Sequence, residues 1–232
     1  MKKKLGYMII LSMVLLLAAC NNEGTEEKEG TEEATSQKEQ LEFSDEERVD
    51  EEKPVVSVNG EEIAGDKYNQ IYTQVKTMMY QYGQDVSNTE KLKEQVITVL
   101  VQQELINQEA AKLGIEVTDK EADEELKKIK EETGDQFTTI LDQYQMDEEA
   151  FKEQLKDDLT TAEYMEEKMD TKVSDEEVEE YYNQMKEQNE NIGELDEVKE
   201  DIKSILTEQK KNEQLQAKVD ELKKKADIET LI

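Results

Sequence analysis

Side chains that carry chemistry are scarce or undistinguished in this 232-residue chain. There is no histidine, which removes the commonest general base, the usual zinc ligand and every triad built on imidazole. Cys20 is the only thiol, so no intrachain disulfide or cysteine cluster can form. No two glycines fall closer than Gly60 and Gly65, which leaves neither a phosphate-binding loop nor a dinucleotide turn. Sixty acidic residues supply carboxylate pairs at every spacing, and none stands in an apolar stretch that would raise its pKa. The spaced Asp/Asn ligands and central glycine of a calcium loop are missing, so no metal and no bound cofactor is expected. What remains is apolar surface. Tyr68, Tyr72, Val75, Met78, Met79 and Tyr82 recur at three- and four-residue spacing, and Met165 and Met169 follow further on. Thioethers and amphipathic rings suit loosely selective binding of apolar polypeptide segments. The plainer assignment of any one residue on such a stripe is to the core.

The first twenty residues, MKKKLGYMIILSMVLLLAAC, place three lysines before an apolar run from Met8 to Leu17. That run is too short to cross a bilayer and reads as an export signal. Leu17-Ala18-Ala19-Cys20 resembles the lipobox of bacterial lipoproteins, in which the signal, here residues 1–19, is cut and the cysteine is acylated. The resemblance implies a covalent diacylglyceryl lipid on Cys20, and two chains give the firm anchoring that one does not. With Lys2, Lys3 and Lys4 removed, the 29 basic residues fall to 26 against 60 acidic ones, a net charge of −34. Such a charge repels nucleic acid and anionic lipid and attracts cationic unfolded chains.

Residues 20–53 are rich in Glu, Thr, Gly and Lys and nearly empty of apolar side chains, which predicts a disordered acidic tether. Ser44 is placed to cap a short turn at SDEER. Pro54 opens the folded region, where Val56 and Val58, then Asn59-Gly60, then Ile63 predict a strand, a tight turn and a return strand. The Tyr/Met stripe predicts a helix over about 66–83. A second helix over about 89–113 carries Leu92, Val96, Val99, Ile106, Ala110 and Leu113, with Ile97, Leu100, Val101 and Leu105 off that seam. Apolar on more than one side, it is expected to be the most buried helix. Gly114 ends it, and Thr118 with Glu121 forms a capping box for the next, whose inward face is Ala122, Leu126 and Ile129. A short segment through Phe137, Ile140, Leu141 and Tyr144 precedes a helix over about 147–169 presenting Phe151, Leu155, Leu159, Ala162, Met165 and Met169.

Ser174 and Glu177 repeat the capping box before Val178, Tyr181 and Met185. Only NENIGE, residues 189–194, separates that helix from a last one over about 195–226, with Val198, Ile202 and Ile205 at one end and Leu215, Val219 and Leu222 at the other. Its middle, TEQKKNEQ, is polar all round, as in a helix that reaches between two packed bodies. The closing ADIETLI predicts a strand beside VVSVNG.

In order, VVSVNGEEIAGDKY, LINQEAAKLGIEVTDKEADEELKKIK, the FKEQLK to YYNQ helices and LDEVKEDIKSIL resemble the SurA and PrsA group of extracytoplasmic folding factors. The likeness runs from Pro54 to Ile232. It implies a mostly α fold: a multi-helix chaperone module over 54–170, and a helical pair with a C-terminal strand over 171–232. A small β element would join the two ends of the folded region. It also implies unfolded or secreted polypeptides as partners, lipid anchoring on the extracytoplasmic face of the cell membrane, no nucleic acid, and compatibility with a homo-oligomer. In the group, a parvulin-type prolyl isomerase stands where NENIGE stands here, and its site is lined partly by histidine. The expectation is therefore a chaperone-like protein without catalysis. The alternatives are an adaptor for one folded partner and a residual prolyl isomerase.

Overall fold

Asn59 and Gly60 both adopt positive φ, 55° and 87°, as a two-residue hairpin turn requires. They join β1 (Pro54–Val58) to β2 (Glu61–Ala64) in antiparallel register, with Val58 opposite Glu61. The Asn59 side chain fixes the turn at two places: its amide donates to Gln108 Oε1 at 2.8 Å, and its oxygen accepts from the Asp227 N–H at 3.0 Å. The predicted closing strand, β3 (Ile228–Thr230), pairs antiparallel with the other edge of β1, giving the sheet order β2-β1-β3. Val55, Val56 and Val58 are fully buried, whereas every residue of β3 is exposed.

The computed structural model describes residues 41–189 and 192–232. Cys20, the signal segment and most of the predicted tether lie outside the described residues. Seven helices follow the hairpin among the described residues: α1 (Gly65–Gln81), α2 (Thr89–Lys112), α3 (Asp119–Thr133), α4 (Gln136–Tyr144), α5 (Glu148–Lys168), α6 (Asp175–Gln188) and α7 (Leu195–Lys223). The chain is mostly helical with a small antiparallel sheet, as the sequence predicts.

The capping signals act as read. Thr118 accepts from Glu121 N and Ser174 from Glu177 N, while each glutamate returns to the cap's own N–H. Gly114 has φ 75° after α2, and Asn88 and Asp147 cap α2 and α5.

The chain divides into two units. Among described residues the larger holds 41–170 and 217–232, so the last turns of α7 and β3 count with the hairpin and α1 to α5. Among described residues the smaller holds 171–216, that is α6 and most of α7. The change of unit along α7 falls just past its polar middle, residues 207–214.

In the larger unit α1 packs on both hairpin strands, α2 and α4, and α2 packs on α1, α5 and β1. That makes α1 the most buried helix, in place of the expected α2: 11 of its 17 residues are buried against 7 of 24. Leu113, placed on the α2 seam from sequence, is 46% exposed at the helix end. A further core at α3, α4 and α5 joins Leu126, Leu155 and an edge-to-face pair, Phe137 and Phe151, with centroids 5.3 Å apart.

The smaller unit has a thin core of Val178, Tyr182 and Ile202, ringed by half-buried residues that include Tyr181, Met185, Ile192 and Leu195. Tyr182 rather than the expected Tyr181 is the buried ring, because its hydroxyl donates to the Gly193 carbonyl at 3.0 Å. Ile205 is 41% exposed, and Leu206 packs on the cluster instead.

Candidate polypeptide-binding surface

The Tyr/Met stripe of α1 divides along its length. Tyr68, Tyr72, Val75 and Met79 are 2 to 5% exposed, so they belong to the core and not to a free surface. The reason is that α1 is covered on more faces than an amphipathic surface helix, including one that the sequence does not announce. Toward its C-terminal end the cover stops. Met78 is half-buried and Tyr82, in the C-cap position, is 68% exposed. Tyr144, the last residue of α4, stands near it: burial raises the Tyr144 hydroxyl pKa, and Tyr82 adds to that rise. Gln74 also reaches this end, donating to Met146 Sδ at 3.5 Å. Met78, Tyr82 and Tyr144 therefore form an aromatic and thioether rim at the α1/α4 end. Tyr144 and its place beside Tyr82 are not apparent from sequence, because the two lie 62 positions apart.

Met165 and Met169 do not join that rim. Lys67, near the start of α1, pairs with Asp157 in the middle of α5 at 2.7 Å, and Met165 lies two turns further along α5, on the order of 12 Å. Both methionines are half-buried. The inward residue at this end of α5 is Tyr164, 3% exposed, while the expected Ala162 is exposed.

The cover over α1 comes from residues 41–51, assigned from sequence to the tether. Leu41, Phe43 and Val49 are half-buried and Glu47 is buried, while Glu42, Ser44 to Glu46 and Arg48 are exposed. The strap has one 3-10 turn, Asp45–Glu47. Glu47 Oε2 accepts from Ser44 N–H at 2.7 Å and Ser44 Oγ at 3.0 Å. Its other oxygen, Oε1, accepts from Lys76 Nζ at 2.5 Å and Tyr72 Oη at 2.8 Å. Burial pushes the Glu47 pKa up, but Lys76, Ser44 and Tyr72 outweigh it and hold the carboxyl at about 2. Lys76 also donates to the Glu42 carbonyl at 2.7 Å and sits 4.9 Å from the Phe43 ring centre. Asn69 grips the main chain of Val49 twice, accepting from its N–H at 3.0 Å and donating to its carbonyl at 2.9 Å. Gly65 permits the close passage, since a Cβ there would lie 2.1 Å from the Asp50 carbonyl oxygen. A tether of purely disordered character over 20–53 is thus corrected at its end: one buried ion pair and the Asn69 grip hold the strap without an apolar run.

The expectation that no carboxylate has a raised pKa is also corrected. Asp158 on α5 is pushed up to about 7, first by burial, then by Asp157, against a hydrogen bond from Gln154 at 3.0 Å and the charge of Lys67. Glu104 on α2 is raised by burial despite Gln108. Asn107 donates to Asp157 Oδ1 at 2.7 Å. Asp157 fastens α5 to α1 through Lys67 and to α2 through Asn107. An open groove of about 330 Å³ along α3 and the start of α5 is lined by Asp123, Leu126, Lys127, Lys130, Glu131 and Glu148. Among the described residues no group of acidic or thiol side chains is placed to hold a metal, and no helix is long and apolar enough to cross a membrane.

Comparison with known proteins agrees with this architecture. The family model described as the SurA-like N-terminal domain matches residues 30–165, more than half of the chain, and includes the strap. A curated relative, the Foldase protein PrsA of Caldanaerobacter subterraneus subsp. tengcongensis, is 38% identical over 144 residues, covering 57% of this chain and 43% of the relative. The chain thus spans less than half the length of that relative.

Proposed function

This chain belongs to the family of SurA-like N-terminal domains, and on that premise we propose that it holds unfolded or newly secreted polypeptides without catalysing a reaction on them. The observation that carries the proposal is the rim of Met78, Tyr82 and Tyr144. A tyrosine 68% exposed at the end of an otherwise buried helix has no role in the core beneath it. Amphipathic rings and a flexible thioether take up apolar segments of varied shape. The acidic surface keeps client and holder soluble and favours cationic stretches. The six-residue joint between α6 and α7 supports the non-catalytic part of the proposal. Ile192 packs into the small core there, Tyr182 holds the Gly193 carbonyl, and the joint is too short for another domain. A diacylglyceryl lipid on Cys20 would keep the protein at the extracytoplasmic face of the membrane.

Light scattering of a chemically denatured client, diluted into a several-fold excess of a soluble form beginning at Asn21, tests this reading. Aggregation is expected to fall, and Tyr82→Ser to weaken the effect severalfold. Unchanged aggregation would overturn the proposal and favour an adaptor with one folded partner. A proline-isomerisation rate above background in a peptide assay would overturn its non-catalytic part.

A further inference from the structure

We infer that the face of α1 bearing Asn69, Tyr72 and Lys76 is a recognition groove for a short segment of pattern aromatic-Ser-x-x-Glu followed by extended backbone, and that residues 43–49 of this chain occupy it as an internal ligand. The inference deepens the polypeptide-holding reading and rests on it. The contacts are those of peptide recognition more than of a structural layer. Asn69 takes both the N–H and the carbonyl of Val49, and Lys76 takes the Glu42 carbonyl, all on main-chain atoms that any sequence offers. Selectivity comes from two side chains. The Glu47 carboxylate meets Lys76 and Tyr72, and the Phe43 ring lies against the same ammonium.

The ligand is preorganised as well. Ser44 binds one carboxylate oxygen of Glu47 inside the turn and leaves the other to the groove, so little ordering remains on docking. The strap itself commits only three half-buried apolar side chains, Leu41, Phe43 and Val49. Lys76 is 6% exposed beneath the strap, and strap release opens its ammonium to another carboxylate. A client segment of the same pattern therefore exchanges with the strap.

Fluorescence anisotropy of a labelled peptide LEFSDEERV, the strap's own residues 41–49, against the full chain in mild detergent tests this. Phe43→Ala weakens the strap without touching the groove, and Gly65→Ala drives the Asp50 carbonyl away. Each is expected to tighten peptide binding at least tenfold over the wild type. A peptide carrying E47Q is expected to lose at least tenfold. Equal binding by wild type and both variants, or indifference to E47Q, would overturn the groove. A variant that dimerises in sedimentation instead of taking up peptide would overturn the client assignment in favour of strap exchange between copies. Aggregation suppression without peptide exchange rejects only the groove, and exchange without suppression rejects only the holding function.

Discussion

In the larger unit α1 buries 11 of 17 residues, among them a lysine and four uncharged polar side chains, whereas α6 in the smaller unit buries only Val178 and Tyr182. α1 starts after Ala64 with no side-chain cap and α6 after the Ser174 capping box, yet both carry an acid in the first turn and an apolar stripe. The difference lies in what covers them. α1 is enclosed by a hairpin, two helices and a strap, and α6 shares a three-residue core with α7. An enclosed helix can carry buried charge because partners arrive from several directions. A thin core cannot, and the smaller unit keeps its ion pairs, Lys199–Asp175 and Lys210–Glu177, toward solvent.

Truncation should separate the two units most clearly. Leu100→Ala removes a fully buried side chain of the larger core and is expected to cost about 3 kcal/mol in urea denaturation. Ile202→Ala is expected to act on the smaller unit, raising hydrogen exchange in α6 while α1 and α2 keep their protection. Uniform loss of protection in both would erase the distinction.

Glu47→Ala is expected to cost about 3 kcal/mol, because it strands the Lys76 ammonium with side chains only 6 to 7% exposed. The surface pair Lys120–Glu124 should return less than about 0.5 kcal/mol on the same measurement.

The two perturbed carboxylates give opposite pH responses. Glu47, held at about 2 in the folded chain, adds stability above the ordinary carboxylate range, lost as pH falls from about 4.5 toward 2. Asp158, raised to about 7, favours the fold when protonated, so its contribution fades as pH rises from about 4 to 7. Urea midpoints of the wild type should drift down between pH 5 and 8, and Asp158→Asn should flatten that drift. In the smaller unit Ser174→Ala removes a cap at a cost of about 1 kcal/mol, read as faster exchange at the start of α6.

Period and punctuation made the hairpin, the seven helices and the three-stranded pairing legible, because Asn59-Gly60, the capping boxes and the apolar spacings act locally. Burial within the helices was less so. The apolar spacing of α5 grows sparse after Leu159, and the residue that turns inward, Tyr164, is chosen by packing rather than by period. The candidate site was half legible. The Tyr/Met stripe was visible, but which part of it is free depends on a strap whose residues look like tether. Nothing local marks Lys76 as a buried cation or picks Glu47 out from its acidic neighbours. Only Ser44 with Glu47, and Gly65 at a helix start, hint at a docked turn.

The central claim is that the rim at the end of α1 holds unfolded chains. A photoreactive phenylalanine analogue at position 82, compared with one at position 205, an exposed apolar position of the smaller unit, tests it most directly. Crosslinking of a denatured client is expected from position 82 at several times the yield from position 205. Equal yields from the two, or none from position 82, would contradict the account.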